Sequence, residues 1–226
     1  MHDFQNKISE IFYRYKCKNK YDELHSIPIF NSVNNIYAYL VPLTFQYNIV
    51  SPKWISLFSK WRDENQIGFA NSFRITDERT EYWVNNLLLN RKDRILFMIK
   101  DLQNLEIGHL GFSSFNFHEK NCEIDNVIRG VKGVYPGIMK QAIESLIIWG
   151  KDKLGLKKIS LKVLEDNTHA VDFYKKLNFN EIKRIPLYKI EDKTEVKWIE
   201  LPEKSHLNPD RYYSYMELDE ANIKKR

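Results

Sequence analysis

The stretch KISLKVLEDNTHAVDFYKKLNF, residues 158–179, decides the fold class of this chain. Its first part alternates Ile159, Leu161 and Val163 with polar residues, which predicts a strand because successive side chains of a strand point to opposite faces. Residues 168–177 then have the spacing of a short helix, with Asn167 at the position of a capping residue. A strand that leads directly into a capped helix indicates an α/β fold.

The segment upstream of this stretch predicts an anion-binding turn. It reads CEIDNVIRG over residues 122–130 and VKGVYPGIM over 131–139, and a periodic helix follows to about Gly155. Glycines in a turn between a strand and a helix let backbone N–H groups approach an anion such as a pyrophosphate. The alternative is that Gly130, Gly133 and Gly137 only shape the corner of the chain.

The rest of the sequence predicts an antiparallel meander with helices before and after it. The other predicted elements are a strand over 36–44, helices over 51–63 and 76–90, strands over 94–100, 106–117 and 122–129, and a strand pair over 180–188 and 212–218. A polar excursion separates the last two strands over 189–209, and its length favours a lid or wall over an open groove.

The N-terminal segment predicts an amphipathic helix over residues 3–19, in which Phe4, Ile8, Phe12 and Tyr15 share one face. We expect this face to dock on the core, with membrane-surface binding as the alternative. The expected organisation is a helical appendage and connector over 1–35, a catalytic domain over 36–219 and a basic tail over 220–226.

Composition limits the classes of protein that this chain can represent. Its 226 residues suit one α/β domain, and a net charge of +5 favours anionic ligands without the excess of a nucleic-acid-coating protein. Cys17 and Cys122 are far apart and form no Cys/His cluster, so neither a zinc site nor a disulfide framework is predicted. With no long apolar run and no signal-peptide pattern, we expect a cytoplasmic protein without a membrane span.

The segment from Asn167 to Phe179 resembles the motif N-x-x-A-x-x-[F/L]-Y-x-x-x-G-F of the GNAT acetyltransferases. The resemblance implies a GNAT fold, with a mixed, mostly antiparallel sheet, a splayed central strand pair and flanking helices, and it implies acetyl-CoA as cofactor. It also implies that Asn167 caps the helix and bonds the cofactor, and that Tyr174 is the general acid beside the thioester sulfur. Asn178 replaces the family's glycine, and Asn is the next most tolerant residue of a left-handed backbone.

The family's pyrophosphate loop, Q/R-x-x-G-x-G/A, is matched only in part. Lys132 stands at the Q/R position, Tyr135 at the first Gly and Gly137 at the final Gly/Ala. An anion nest depends on backbone conformation more than on side chains, so the departure leaves the cradle itself in place. The cofactor-binding residues implied by the resemblance are Val127, Ile128, Lys132, Gly133, Tyr135, Gly137, Ile138, Asn167 and Tyr174.

Acyl transfer to an amine needs a base, a donor to the developing oxyanion and an acid for the leaving thiolate. Glu123 and Asp125 alternate along their strand, which predicts two carboxylates on one face that bind an amine and accept its proton. The alternative is an ordinary exposed acidic face. In the family the oxyanion donor is a backbone N–H of the same strand, here that of Val127 or Ile128, and the acid is Tyr174.

Two histidines, His109 and His118, are alternative bases, although a single histidine on a strand is more often structural. His169 lies in the short helix, where we expect it to be exposed. Trp54 and Trp61 share one face of a predicted helix and are expected in its core, with an aromatic ligand wall as the alternative.

We expect the acceptor to be a primary amine of a small molecule, and the resemblance favours the GNAT subgroup that modifies amino sugars on nucleotide-linked sugars. Arg74 and Arg79 are candidate phosphate partners, with a solvated surface charge as the alternative for each. The competing functions are acetylation of a protein or peptide amine and non-catalytic acyl-CoA binding. A homodimer is compatible with this architecture.

Overall fold

The computed structural model describes residues 2–17, 24–202 and 204–219. The elements in chain order are α1 (His2–Tyr15), β1 (Ile27–Phe30), β2 (Ile36–Pro42), α2 (Tyr47–Val50), α3 (Trp54–Glu64), a 3-10 turn (Gln66–Gly68), β3 (Asn71–Phe73), α4 (Asp77–Tyr82) with a π-helical continuation (Trp83–Leu89), β4 (Ile95–Asp101), β5 (Glu106–Asn116), β6 (Asn121–Arg129), α5 (Ile138–Trp149) with a π-helical continuation (Gly150–Leu154), β7 (Lys158–Leu164), α6 (Thr168–Lys175), β8 (Phe179–Glu191), β9 (Glu195–Glu200) and β10 (Arg211–Leu218). The predicted basic tail, 220–226, lies outside the described residues.

The chain forms two compact units, and the first comprises residues 1–62 and 76–158. Its strands lie in the order β1-β2-β4-β5-β6, and each neighbouring pair is antiparallel. The predicted meander of three strands is therefore confirmed as β4, β5 and β6. Helix α5 has Ala142, Ile143 and Leu146 fully buried on the stripe that the sequence predicted.

Helix α1 docks on the core of the first unit, as predicted. Ile8 and Phe12 are buried, and the Phe12 ring meets the Phe115 ring edge-on at 5.4 Å. The helix ends at Tyr15, whose hydroxyl accepts a hydrogen bond from Trp149 Nε1 at 2.7 Å. The predicted end at residue 19 lies outside the described residues.

Within the segment 1–35, expected as a helical appendage and connector, Ile27–Phe30 form strand β1. Ile27 and Ile29 are buried against β2, and Pro28 is tolerated because β1 is the edge strand of this sheet. The Asn31 side chain shapes the turn between the two strands. The Asn31 side chain accepts the backbone N–H groups of Val33 at 3.1 Å and Asn35 at 2.9 Å.

The two predicted helices before the meander are present. Trp54, Phe58 and Trp61 form the buried face of α3, which confirms the prediction that both tryptophans belong to the core. Helix α3 begins at Trp54, after a turn closed by its N–H and the Ser51 carbonyl. Thr76 caps α4 by accepting the N–H of Arg79 at 3.2 Å.

The second unit comprises residues 63–75 and 159–226. Its strands lie in the order β7-β10-β8-β9-β3, and again each neighbouring pair is antiparallel. The segment 189–209, predicted as a polar excursion, contains β9, which pairs with β8 on one side and β3 on the other. The Asp192 carboxylate shapes the hairpin turn because it accepts the backbone N–H groups of Thr194 and Glu195.

Candidate active site

Strand β6 contains a β-bulge just beyond its two acidic residues. Two residues of β6, Asn126 and Val127, face one residue of β5, Leu110. Asn126 has a φ of 54°, the left-handed conformation that Asn tolerates better than most residues. A bulge twists the strand and redirects the groups that follow it, so the backbone of Val127 and Ile128 departs from the regular ladder.

The alternation of β6 follows the sequence up to this bulge. Cys122 and Ile124 are buried, whereas Glu123 and Asp125, which follow them in turn, are half-buried. Asn126 is half-buried as well, so the alternation ends where the extra residue enters the strand. The two carboxylates therefore share one face of β6 immediately before the backbone distortion.

The Asp125 carboxylate is fixed by the bulge itself. Its Oδ1 accepts the backbone N–H of Asn126 at 2.7 Å, and its Oδ2 accepts the Asn126 side-chain amide at 3.0 Å. The charge of Asp125 acts on Arg62, in the last turn of α3. Burial lowers the pKa of Arg62, and the charge of Asp125 opposes that change.

Arg62 was not identified from the sequence, although a signal for it was present. It is four residues beyond Phe58 on α3, so it lies beside the buried aromatic face and not on the outer face of the helix. A charged residue in that position needs a polar partner. The need for a partner was therefore predictable from the sequence, but the sequence did not show that Asp125 is the neighbouring charge.

His109 of β5 is a buried, uncharged histidine beneath the bulge. Its ring lies 5.1 Å from Phe58 and 6.1 Å from Trp61, centroid to centroid. Burial, and to a smaller extent the nearby Arg62, lower the pKa of His109 from 6.5 to about 4. The Asn126 carbonyl can only accept a hydrogen bond. The neutral ring therefore carries its proton on Nδ1 and donates a hydrogen bond to this carbonyl at 2.7 Å.

The loop between β6 and α5, residues 130–137, begins at a position that only glycine fits. The N–H groups of Gly130 and Val131 both donate to the Ile107 carbonyl, at 2.8 and 2.9 Å. A β-carbon on Gly130 would lie 1.9 Å from the Trp61 ring. The Trp61 side chain thus fixes the start of this β6–α5 loop.

Left-handed residues recur along the β6–α5 loop. The φ angles are 80° at Gly133, 49° at Tyr135 and 82° at Gly137, which is the N-cap of α5. Alternation of left-handed and ordinary residues turns successive N–H groups to one side and makes an anion-binding concavity. Tyr135 therefore keeps the left-handed backbone although it occupies the position of the family's glycine.

Two side chains hold the β6–α5 loop in this conformation. Arg129 donates from Nε to the Val131 carbonyl at 3.1 Å and from Nη2 to the Val134 carbonyl at 2.7 Å. The Tyr135 hydroxyl donates to Oδ2 of Asp101 at 2.7 Å. Neither role was predicted from the sequence, because both depend on contacts that only the folded chain creates.

The second unit contains the capped helix of the sequence motif. Asn167 caps α6 through its side-chain oxygen, which accepts the N–H of Ala170 at 3.3 Å, as the sequence predicts. Tyr174 is buried on α6, and its ring meets the Phe179 ring edge-on at 6.0 Å. Asn178 has a φ of 65°, so it adopts the left-handed conformation expected at the family's glycine position.

The predicted site residues divide between the two units. Those of the first unit follow one another along β6, the β6–α5 loop and the start of α5, and those of the second unit lie at α6. The first group is Glu123, Asp125, Val127, Ile128, Lys132, Gly133, Tyr135, Gly137 and Ile138, and the second is Asn167 and Tyr174. Ile138 contributes a buried side chain and an N–H that donates to the Tyr135 carbonyl at 3.1 Å.

The remaining candidates lie away from this stretch or belong to the core. His118 is exposed in the turn between β5 and β6, and His169 is exposed on α6. Both cysteines are buried and unbridged. Across residues 2–17, 24–202 and 204–219, His, Cys, Asp and Glu side chains form no group of three that could hold a metal ion. In the same ranges no helix is long and apolar enough to cross a membrane.

Comparison with known proteins shows the family. The profile of the acetyltransferase (GNAT) family matches residues 54–179, more than half of the chain. An N-acetyltransferase 9-like protein from Caenorhabditis elegans is 24% identical over 146 residues, which are 58% of this chain and 72% of that protein.

Solved structures of low sequence identity share the fold. A ribosomal L7/L12 alpha-N-protein acetyltransferase, RimL, has a TM-score of 0.62 at 17% identity and covers 86% of this chain and 93% of its own. Mutant forms of the spermidine/spermine N-acetyltransferase SpeG from Vibrio cholerae have a TM-score of 0.56 at 16% identity and cover 80% and 93%. These relatives give no support to the amino-sugar subgroup.

The fold and the family profile define an acetyl-CoA-dependent acyltransferase of the N-acetyltransferase class. The chain belongs to the acetyltransferase (GNAT) family, and its α/β fold, a mixed sheet flanked by helices, is the fold expected from the sequence.

The β6–α5 loop suits the phosphates of acetyl-CoA. Lys132, Gly133 and Gly137 are exposed, and a side chain at Gly133 would meet no described atom within 4 Å. The left-handed backbone presents N–H groups there, close to the positive end of the α5 dipole. Backbone donors, a lysine and open space together fit an anionic cofactor.

Proposed function

We propose that the chain transfers the acetyl group of acetyl-CoA to a primary amine of a small molecule, by direct attack in a ternary complex. The observation that carries this proposal is the succession along one stretch of two half-buried carboxylates, a bulge and a loop of left-handed residues. Acetyl-CoA, when bound, supplies an activated acetyl thioester.

The β6–α5 loop binds the cofactor phosphates in this proposal. Backbone N–H groups of Gly133, Val134, Tyr135 and Gly137, and those of the first turn of α5 after Ile138, donate to the phosphate oxygens, and Lys132 adds a positive charge. The family resemblance implies that Asn167 also bonds the cofactor.

The bulge aims a backbone N–H at the reacting carbonyl. The N–H of Val127 or Ile128 donates to the thioester oxygen as negative charge develops on it, and such donors act most strongly when they are fixed in advance. The contacts of Asn126 with Asp125 and His109 supply that rigidity.

Glu123 is the proposed proton acceptor and Asp125 its supporting charge. Asp125 already accepts two hydrogen bonds from Asn126 and lies close enough to Arg62 to affect its pKa. Glu123 lies on the same face of β6 and takes the proton of the acceptor amine, directly or through a water. Tyr174 returns a proton to the departing thiolate.

For the acceptor we propose an amine on a nucleotide-linked sugar, and the support for it is electrostatic. The net charge of the chain is +5, and Arg74 and Arg79 are exposed. Positive charge attracts a diphosphate-bearing amine and disfavours a polycation. Spermidine and a protein N-terminus, the acceptors named for two structural relatives, are the competing acceptors.

An acceptor panel tests this proposal by following thiol release from acetyl-CoA. The panel contains a nucleotide-linked amino sugar, spermidine and a short peptide with an unblocked N-terminus. We expect turnover with the sugar, and we expect Arg74→Gln and Arg79→Gln to raise its KM. Turnover with spermidine or the peptide alone would refute the acceptor and leave acetyl transfer standing, whereas no release with any amine would refute the activity.

A further inference from the structure

We propose that Tyr135 is a positioning residue, whose hydroxyl, tethered to Asp101, holds the β6–α5 loop in the conformation that receives the cofactor phosphates. The inference rests on the proposed function of that loop and concerns a feature specific to this chain.

Tyr135 has a backbone conformation that is unfavourable for a tyrosine. Its φ of 49° lies in the left-handed region, where the β-carbon of an L-residue crowds the backbone. A residue remains in such a conformation only when its surroundings hold it there. The family's loop has glycine at this position, which needs no such support.

The support is the hydrogen bond to Asp101, which is itself fixed in place. Asp101 is the last residue of β4, is buried and accepts the Tyr135 hydroxyl at 2.7 Å. Its Oδ1 accepts the backbone N–H groups of Gln103 at 2.9 Å and Leu105 at 2.7 Å. These two backbone donors orient the Asp101 carboxylate independently of Tyr135, which bonds the other oxygen.

The protonation states of the pair keep the tether intact at neutral pH. Burial alone would raise the pKa of Asp101, but the hydrogen bonds from Tyr135, Leu105 and Gln103 outweigh it and lower the pKa from its ordinary value. The hydrogen bond to Asp101 raises the pKa of Tyr135 from its ordinary value. An ionised acceptor therefore faces a protonated donor at neutral pH.

The Tyr135–Asp101 hydrogen bond and the hydrogen bonds of Arg129 fix different parts of the β6–α5 loop. Arg129 bonds the carbonyls of Val131 and Val134, which lie before the tyrosine. Tyr135 secures the part that leads into α5, where its own carbonyl accepts the N–H of Ile138 at 3.1 Å. Without the tether, only a fraction of molecules would present the binding conformation, and the apparent affinity would fall by that fraction.

The test is calorimetric titration of acetyl-CoA into the wild type, Tyr135→Phe and Tyr135→Gly. Tyr135→Phe keeps the ring and the unfavourable backbone but loses the tether, so we expect its Kd to rise by about tenfold. Tyr135→Gly loses the tether and also the strain, so we expect an intermediate Kd. A packing role for the ring predicts the opposite order, with the glycine variant weakest.

A matched control and a truncated donor separate positioning from general damage. Tyr13→Phe removes a hydroxyl from an exposed tyrosine of α1 and should keep the wild-type Kd. S-acetylpantetheine lacks the phosphates, so Tyr135→Phe should leave kcat/KM for this donor unchanged while lowering that for acetyl-CoA.

The outcomes distinguish this inference from the function on which it rests. If the wild type fails to bind acetyl-CoA, the proposed function falls and this inference falls with it. If the wild type binds but Tyr135→Phe binds equally well, or Tyr135→Gly is the weaker variant, the tether is refuted and the function stands. Equal losses with both donors would also refute a role at the phosphates.

Discussion

Nδ1 of His109 lies 2.7 Å from the carbonyl oxygen of Asn126, the left-handed residue of the β6 bulge. The ring is enclosed by Phe58 and Trp61 and is held neutral by burial. A histidine in this state cannot accept the proton of an amine near neutral pH, because the pKa of its conjugate acid is about 4. His109 therefore supports the bulge and is not the general base that the sequence left as an alternative.

The depressed pKa of His109 predicts a pH-dependent stability. Between pH 6.5 and about 4 the unfolded chain binds a proton that the folded chain does not, so stability falls as the pH falls through this window. At pH 5 the loss relative to pH 7 is about 2 kcal/mol. Urea unfolding of the wild type and His109→Gln at both pH values measures it, and Arg62→Gln is included because Arg62 also acts on the ring.

The difference between wild type and variant isolates the histidine, because the other titrating groups are common to both. We expect His109→Gln to lose less stability than the wild type on acidification. Parallel losses in the two proteins would show that His109 titrates normally in the folded state.

A pair of glycine substitutions tests the close approach of Trp61 to the β6–α5 loop. In Gly130→Ala the new β-carbon would lie 1.9 Å from the Trp61 ring, so the indole or the loop must move. We expect a loss of about 1–3 kcal/mol in unfolding free energy, the usual effect of overpacking. In Gly133→Ala no described atom lies within 4 Å, so only the strain of a φ of 80° remains. Equal losses in the two variants would contradict the role of Trp61.

Glu123→Gln tests the proposed base. The amide keeps the size of the side chain but cannot accept the amine proton, so kcat should fall by roughly a hundredfold while KM for acetyl-CoA stays unchanged. Steady-state kinetics across pH 6 to 9 provide the measurement. Asp125→Asn is the comparison, and because Asp125 braces the bulge we expect this variant to lose stability as well as activity. A Glu123→Gln enzyme with wild-type kcat would assign the proton to another group.

Tyr174→Phe tests the acid on α6. Removal of the hydroxyl should lower kcat by about tenfold to a hundredfold, with little change in folding because the ring stays against Phe179. The readout is acetyl transfer from acetyl-CoA compared with a donor whose thiol is a better leaving group. The variant should recover with the activated donor, and an equal defect with both donors would remove the acid role of Tyr174.

Much of the fold was predictable because the spacing of apolar residues along the sequence indicates which face of a strand or helix is buried. The three meander strands, α5 and the capped α6 follow from alternation, a helical stripe and an N-capping Asn. The missed strands are short or partly polar. Ile27–Phe30 contains a proline that only an edge strand tolerates, and Glu195–Glu200 buries little and is fixed by its pairing with β8 and β3.

The chemistry of the site was predictable only as far as residue types allow. Glu123, Asp125 and Tyr174 were named from alternation and the motif, but the bulge at Asn126 was not. A bulge arises from the register of two strands, which is a relation between distant residues. The roles of Arg62 and Asp101 could not be predicted for the same reason, because folding brings each of them beside a residue that is distant in sequence.

Thermal unfolding with and without acetyl-CoA measures whether the folded chain binds this thioester. A ligand that binds only the folded state raises the midpoint, by roughly 5–10 °C at a hundredfold excess over Kd for a chain of this size. We expect a saturable rise with acetyl-CoA and with coenzyme A, and a much smaller one with ATP. An unchanged midpoint at millimolar acetyl-CoA would contradict the account, because it would show that the β6–α5 loop does not hold the cofactor phosphates.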